Sequence, residues 1–304
     1  MLTKEHNPNR KIGFHVKNLD ELKRFAKMPG VNLAELKPWF WTKDNKPLYT
    51  FEKGVFKPNK EILKQVRDIS QEHDIQIQIH PPYESSLNPE LEEGLCQAVE
   101  EHWQPLLDRF KMFGDIQAEY GIINVTTIHP PNYMINGQTI CDEETALIKG
   151  NAFYAKLDKL LLDLEKQGCD YKIGVENMSD PNHLSGALIG HAAVGYNIIH
   201  LKRLLRGTEK LGLTVDAGHR LLSKEMSVSQ MFALRPIENL HFHSNPGKTD
   251  EHTMATEENL KYFNIYIDAI RAYRIPVVCE VANLDQQADH VLIGYVQYVR
   301  DWLH

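Results

Sequence analysis

Eight short apolar segments recur along the chain, most of them followed by a longer stretch with helical spacing, and this alternation restricts the fold more than any other feature. The segments are Lys11–Val16 (KIGFHV), Asn32–Lys37 (NLAELK), Ile75–His80 (IQIQIH), Asn124–His129 (NVTTIH), Lys172–Glu176 (KIGVE), Gly212–Asp216 (GLTVD), Asn239–His243 (NLHFH) and Pro276–Glu280 (PVVCE). Helical apolar spacing covers Lys60–His73, Leu91–Tyr120, Glu144–Gln167, Ile198–Leu211 and Glu257–Tyr273. Strand and helix repeated eight times predict an α/β protein, a single (β/α)8 TIM barrel over residues 1–304. The competing architecture, an open doubly wound sheet, would carry a glycine-rich phosphate loop after its first strand. KIGFHVKNLDE has none.

The bulk properties narrow the setting. A chain that is 42% hydrophobic and 25% charged can bury one large core. No run approaches the roughly 18 apolar residues of a membrane helix, and MLTKEHNPNRK lacks the apolar stretch of a signal peptide. Cys96, Cys141, Cys169 and Cys279 lie far apart, so neither a disulfide framework nor a cysteine metal site is indicated, and the expected location is the cytoplasm. A net charge of -7 argues against a broadly basic nucleic-acid surface.

The strands alternate in a way that says which side chains enter the barrel. One phase is bulky and apolar (Ile75, Ile77, Ile79; Ile173, Val175; Leu213, Val215; Leu240, Phe242) and suits the layer under the outer helices. The opposite phase is small or polar, and it ends in His80, His129, Glu176, Asp216, His243 and Glu280. Barrel enzymes build their sites at that rim. Imidazoles and carboxylates are ligands for Zn, Mn, Co and Mg, and several acids gathered without a cation would be costly. His219 follows Asp216 by one helical turn in VDAGH, and Asp250 and His252 lie in the loop after the seventh strand. His241 shares the inward phase but sits a layer deeper, so it is expected in the core, as is His15; Gln76 and Gln78 are expected to be interior hydrogen-bonding residues.

Taken in order, HPPY at His80–Tyr83, HPP at His129–Pro131, VEN at Val175–Asn177, VDAGH at Val215–His219, HSNPGKTDEH at His243–His252 and CEVAN at Cys279–Asn283 resemble the xylose-isomerase-like TIM-barrel superfamily, and within it the endonuclease IV type. That resemblance implies up to three divalent ions, Zn foremost. His80, His129 and Glu176 would hold the first; Glu176, Asp216, His243 and Glu280 the second; His219, Asp250 and His252 the third. It implies hydrolysis of a phosphodiester by a metal-bound hydroxide, with Glu176, Glu280 and His219 as the catalytic positions. Tyr83, Lys248, Trp39 and Trp41 are the candidate substrate contacts.

Two departures bear on the substrate. TMATEEN stands where a glycine-rich segment is expected, and KNLDEL replaces a Ser/Gly-rich turn after the first strand. Those loops belong to the family's DNA-gripping surface, which weakens the case for nucleic acid, although Trp39 and Trp41 with Lys43, Lys46 and Lys53 would suit a stacked strand. The alternative implied by the same superfamily is a sugar or sugar phosphate isomerase or epimerase. It would use one Mn, Mg or Co ion, with Glu176 and Glu280 as acid and base; Glu35 is reminiscent of those enzymes. Segments 38–58 and 130–140 are expected to form pocket walls.

Overall fold

The computed structural model describes residues 10–303, except 38–46, 54, 82–96, 136, 184–191, 224–226, 246–248, 258–262, 265–266, 269 and 271–273. Eight parallel strands close into a barrel: β1 (Ile12–Val16), β2 (Leu33–Leu36), β3 (Gln76–Ile79), β4 (Val125–Ile128), β5 (Lys172–Glu176), β6 (Gly212–Asp216), β7 (Ile237–His241) and β8 (Val277–Cys279). Each strand pairs with its neighbours in sequence, and β8 pairs with β1 through Ile12 opposite Val277 and Phe14 opposite Cys279. All eight predicted strands are therefore in the barrel, in the predicted order.

Around it lie α1 (Leu19–Ala26), α2 (Lys60–His73), α3 (Trp103–Tyr120), α4 (Glu143–Lys166), α5 (Ile198–Leu204), α6 (Ala217–Leu222), α7 (Val228–Leu234) and α8 (Asp289–Trp302). Local chemistry sets their starts. Asn18, Asn59, Asp142 and Asn197 each accept a backbone N–H of the first turn, at Glu21, Ile62, Thr145 and His200. The helix expected over Ile198–Leu211 stops at Leu204. There Gly207 turns the chain at φ +82°, and buried Asp158 of α4 accepts the backbone N–H groups of Glu209, Lys210 and Leu211. Those donors are therefore committed to a side chain rather than to a further helical turn. Most of the helix expected over Glu257–Tyr273 lies outside the described residues.

Between strands and helices sits one continuous apolar core. Ile77, Ile79, Ile173, Val175, Leu213, Val215, Leu240 and Phe242 are buried in it, as their phase predicts. Gly13 is where two backbones meet most closely: a Cβ there would stand 1.7 Å from the carbonyl oxygen of Leu33. Both insertions expected to wall the pocket contain strands. In the first, Tyr49–Glu52 pairs with Val55–Pro58, and the Tyr49 ring packs 5.6 Å from Phe113 of α3. The second becomes a small antiparallel sheet, Asn132–Ile135 with Gln138–Thr139 and Ala192–Ala193.

Candidate functional site

The carboxyl ends of the strands deliver the acid and imidazole groups to one place. Glu176 and Asp216 are the last residues of β5 and β6; His80, His129 and Glu280 immediately follow β3, β4 and β8. His219 comes from the first turn of α6, for which the Asp216 side chain is the cap, accepting its backbone N–H at 2.6 Å. Pairing of Leu213 with Ile237 starts β7 two residues earlier than predicted, so His243 lies just past the strand. Backbone hydrogen bonds between Ser244 and Thr253 then fold Asp250 and His252 back over it. Gly218 makes room for this arrangement: a Cβ there would be 2.0 Å from Cε1 of His243.

All nine predicted ligand residues converge, in overlapping groups. His80 Nε2 and His129 Nε2 are each 3.3 Å from Oε2 of Glu176. His219 Nε2 lies 3.0 Å and His252 Nε2 3.3 Å from Oδ2 of Asp250. His243 Nε2 is 3.0 Å from Oδ2 of Asp216, and its ring stacks on His252 at 3.9 Å. Donor atoms of His219, His243, Asp250 and His252 lie within 4.8 Å of one another. His243 thus stands with the third predicted ligand set as well as beside Asp216 of the second.

The tautomers follow from the backbone. Nδ1 of His80 donates to Pro81 O at 3.0 Å, Nδ1 of His219 to Asn177 O at 2.8 Å, and Nδ1 of His252 to Glu280 O at 3.1 Å. Each carbonyl fixes the hydrogen on Nδ1 and leaves Nε2 facing the carboxylates, which is how metal-binding histidines are commonly held. Glu176 Oε2, Glu280 Oε2 and His243 Nδ1 are buried without a hydrogen-bond partner. Glu176 Oε2 nevertheless lies 3.3 Å from two imidazole nitrogens. Atoms that sit this close without bonding one another share a common focus; ligands about 2.1 Å from a tetrahedral ion are separated by roughly 3.4 Å. The donor set therefore fits divalent cations.

Charge gives the same result. Burial opposes ionisation of Glu176, Asp216, Asp250 and Glu280, yet the surrounding imidazoles hold all four carboxyls below their usual range. Burial also opposes charging of His219, but Asp216 and Asp250 keep it well above the ordinary histidine value, and Glu280 with Asp250 raise His252 to about 9. At His129 burial prevails, and its pKa falls to about 4.

Three residues expected in the core or left outside the ligand set are buried and also touch this centre. His241 Nδ1 lies 3.2 Å from Glu176 Oε1 and 2.9 Å from Glu280 Oε2, and His15 Nδ1 is 3.2 Å from Glu280 Oε1. Beneath them Glu35, fully buried, meets Nε2 of both rings. Gln78 is buried as expected, but neither amide atom has a hydrogen-bond partner. A cavity of about 340 Å³ opens above, lined by His15, Lys37, Asp250, His252 and Glu280 among others. Tyr83, Lys248, Trp39 and Trp41 lie outside the described residues.

The family described as xylose isomerase-like TIM barrel matches residues 22–293 of the chain. A search of curated proteins returned no significant match. Among solved structures, the chain is similar to a D-allulose 3-epimerase from Methylomonas sp. in complex with D-allulose, at 10% identity, TM-score 0.64 and 97% coverage of both chains. It is also similar to a Thermus thermophilus protein, TTHB071, soaked with ZnCl2, at 17% identity and TM-score 0.56, covering 95% of this chain and 97% of that one. SacUVDE matches at 13% identity and TM-score 0.55, over 96% of this chain and 98% of that chain. At these identities the likeness is one of fold.

Proposed function

The chain belongs to the xylose isomerase-like TIM-barrel family, and from that premise we propose that it is a divalent-metal-dependent phosphodiester hydrolase with a multinuclear, zinc-type centre. The observation that carries this reading is the pair His80 and His129, both 3.3 Å from Glu176 Oε2. Together with His219, Asp250 and His252, they provide far more nitrogen and oxygen donors than one ion takes. Bound zinc-type ions supply positive charge for the phosphate and lower the pKa of water toward about 7.

The chain's own part is to hold and orient. Glu176 offers one oxygen to the His80–His129 side and the other to the His219 and His241 side, so it spans two of the groups. At the rim Asp250 sets one oxygen, Oδ2, against both His219 and His252, while its Oδ1 accepts from Asn245 Nδ2. Lys37 Nζ, 3.4 Å from Glu280 Oε1 and partly exposed, places a cation at the edge of the cavity, where an anionic substrate would enter.

A second reading has its own support. Glu176, Asp216, His241 and Glu280 gather donor atoms within 4.8 Å, enough for one Mn, Mg or Co ion flanked by two glutamates, as a sugar isomerase or epimerase requires. Metal analysis of protein purified without added metal separates the two: two to three zinc-type ions per chain for the hydrolase, one ion for the isomerase. An abasic-site oligonucleotide and a panel of ketoses, assayed side by side, then decide the reaction. Turnover of a ketose with no cleavage of the oligonucleotide overturns the hydrolase.

A further inference from the structure

The mouth of the barrel carries one arginine whose charge nothing in the fold uses. We propose that Arg220 is a substrate contact, binding a phosphate group that the substrate carries apart from the bond acted on at the metal centre. This rests on the mouth being where substrate docks, as in the reading above, but not on which of the two reactions occurs there.

A guanidinium stays charged at any pH at which a protein is folded, so a half-buried one calls for acceptors. The other buried or half-buried arginines among the described residues have partners. Arg10 donates to Leu303 O at 2.7 Å, Arg24 to Asp289 Oδ1 at 2.7 Å, and Arg235 to the carbonyls of Leu205 and Thr208 at 2.8 and 2.6 Å. Arg67 meets Asp68, Arg203 meets Glu144, Arg300 donates to Gly30 O, and Arg109 is partnered too. Arg220 is the exception. It is half-buried, its Nε is sealed from solvent, and its guanidinium has no hydrogen bond or ion pair. The terminal nitrogens, unlike Nε, stay open to solvent. A planar fork closed off at Nε and open at its end presents two parallel N–H donors, the pattern that takes two oxygens of a phosphate.

Its place in the fold connects that fork to the substrate. Arg220 directly follows His219 on α6, the helix that starts at the carboxyl end of β6 with Asp216 as its cap. It is therefore at the mouth, one residue beyond the cluster of His219, His243, Asp250 and His252. In the barrel order β6 lies four places from β2 in either direction, so Arg220 and Lys37 stand on opposite sides of that mouth. Lys37 is already engaged by Glu280 Oε1 at 3.4 Å, whereas none of the carboxylates gathered between the two sides pairs with Arg220. The reacting group would sit within the ring of donors, and Arg220 is on the helix just outside it. The phosphate it takes is thus a second one, either the neighbouring phosphate of a polynucleotide strand or the terminal phosphate of a sugar.

The direct test is diffraction from crystals of the unaltered, metal-loaded chain soaked with tungstate, a phosphate mimic located by its anomalous signal. Tungstate within hydrogen-bonding distance of the Arg220 terminal nitrogens supports the contact; tungstate only on the metal ions, or nowhere, overturns it. In solution, Arg220→Gln should raise KM for a phosphorylated substrate by about 10–100-fold, with kcat and metal content unchanged, and Arg220→Lys should fall between. The substrates are an abasic oligonucleotide, a ketose phosphate and the same ketose without its phosphate. A rise confined to the oligonucleotide identifies the neighbouring phosphate of a strand, and one confined to the ketose phosphate identifies a sugar phosphate; both support the contact. KM unchanged throughout, an equal rise for the ketose with and without phosphate, or a loss of metal in Arg220→Gln overturns it. Should the variants misfold by circular dichroism, the tungstate crystal decides alone. It also decides if no substrate is turned over, which defeats the proposed reactions and not this contact, while cleavage of the oligonucleotide with unchanged KM in Arg220→Gln defeats the contact and leaves the hydrolase standing.

Discussion

The carbonyls of Pro81, Asn177 and Glu280 choose which nitrogen His80, His219 and His252 present, and the chemistry at the scale of single residues starts there. Removing a ligand without disturbing those carbonyls should separate metal loss from unfolding. His129→Ala is expected to lower phosphodiester hydrolysis by at least about 10³-fold while a one-metal isomerase would tolerate it, and steady-state assays of both activities decide. Glu176→Gln should abolish either activity; an active Glu176→Gln protein would defeat both schemes. Gly218→Ala tests crowding: its new Cβ would meet the His243 ring at 2.0 Å, and that ring is stacked on His252 with nowhere to retreat. Metal analysis should find one ion fewer, with a smaller change in melting temperature. Six of the nine rim residues were legible because strand-end phase points them the same way, and His219, Asp250 and His252 because of their spacing after the sixth and seventh strands. His15, Glu35 and His241 were not, because alternation gives the face of a strand but not the depth at which a long side chain meets others. The carbonyls that set the tautomers left no trace in side-chain identity at all.

Elements show which boundaries the chain writes locally and which it does not. The bounds of α2 and of β5 and β6 coincide with those expected from apolar spacing, since each is bracketed by its own cap or turn residues. The start of β7 was displaced by two residues, because the irregular pairing of Leu213 with Ile237 and of Thr214 with Asn239 is a property of two strands together. Asp158 ended α5 early from a distant position on α4, a contact that no local pattern announces. Asp158→Ala should therefore lower stability by about 1–3 kcal/mol through three unsatisfied N–H groups, measured by urea unfolding, with metal content unchanged. Gly13→Ala acts on β1 and β2. A Cβ 1.7 Å from a backbone oxygen cannot be accommodated by a side-chain shift, so at least about 3 kcal/mol should be lost or the protein should fail to accumulate.

For the whole molecule, the proposed metal centre would link stability to metal, and its buried groups link stability to pH. Among the described residues no helix is long and apolar enough to cross a membrane. Chelation should lower the melting temperature, since an ion present at 100 times its Kd adds about 2.7 kcal/mol per site. In the chelated chain the histidines set the pH dependence. Burial lowers His15 and His129 to about 4 from 6.5, so folding favours their neutral forms and stability declines as pH falls from 6.5 toward 4. At His252 burial is outweighed by Glu280 and Asp250, and the pKa rises to about 9; its contribution is complete below 6.5 and is lost as pH climbs through 9. Urea midpoints across that range should peak near neutrality, and a flat profile would contradict the paired centre.

Closure of β8 on β1 also has a consequence for biosynthesis. Glu280, supplied by the last barrel strand, is linked to Glu35 from the second through the imidazoles of His15 and His241. If the proposed ions bind there, a chain still emerging from the ribosome would hold most of the donor residues without the cage, and capture would wait for the completed cylinder.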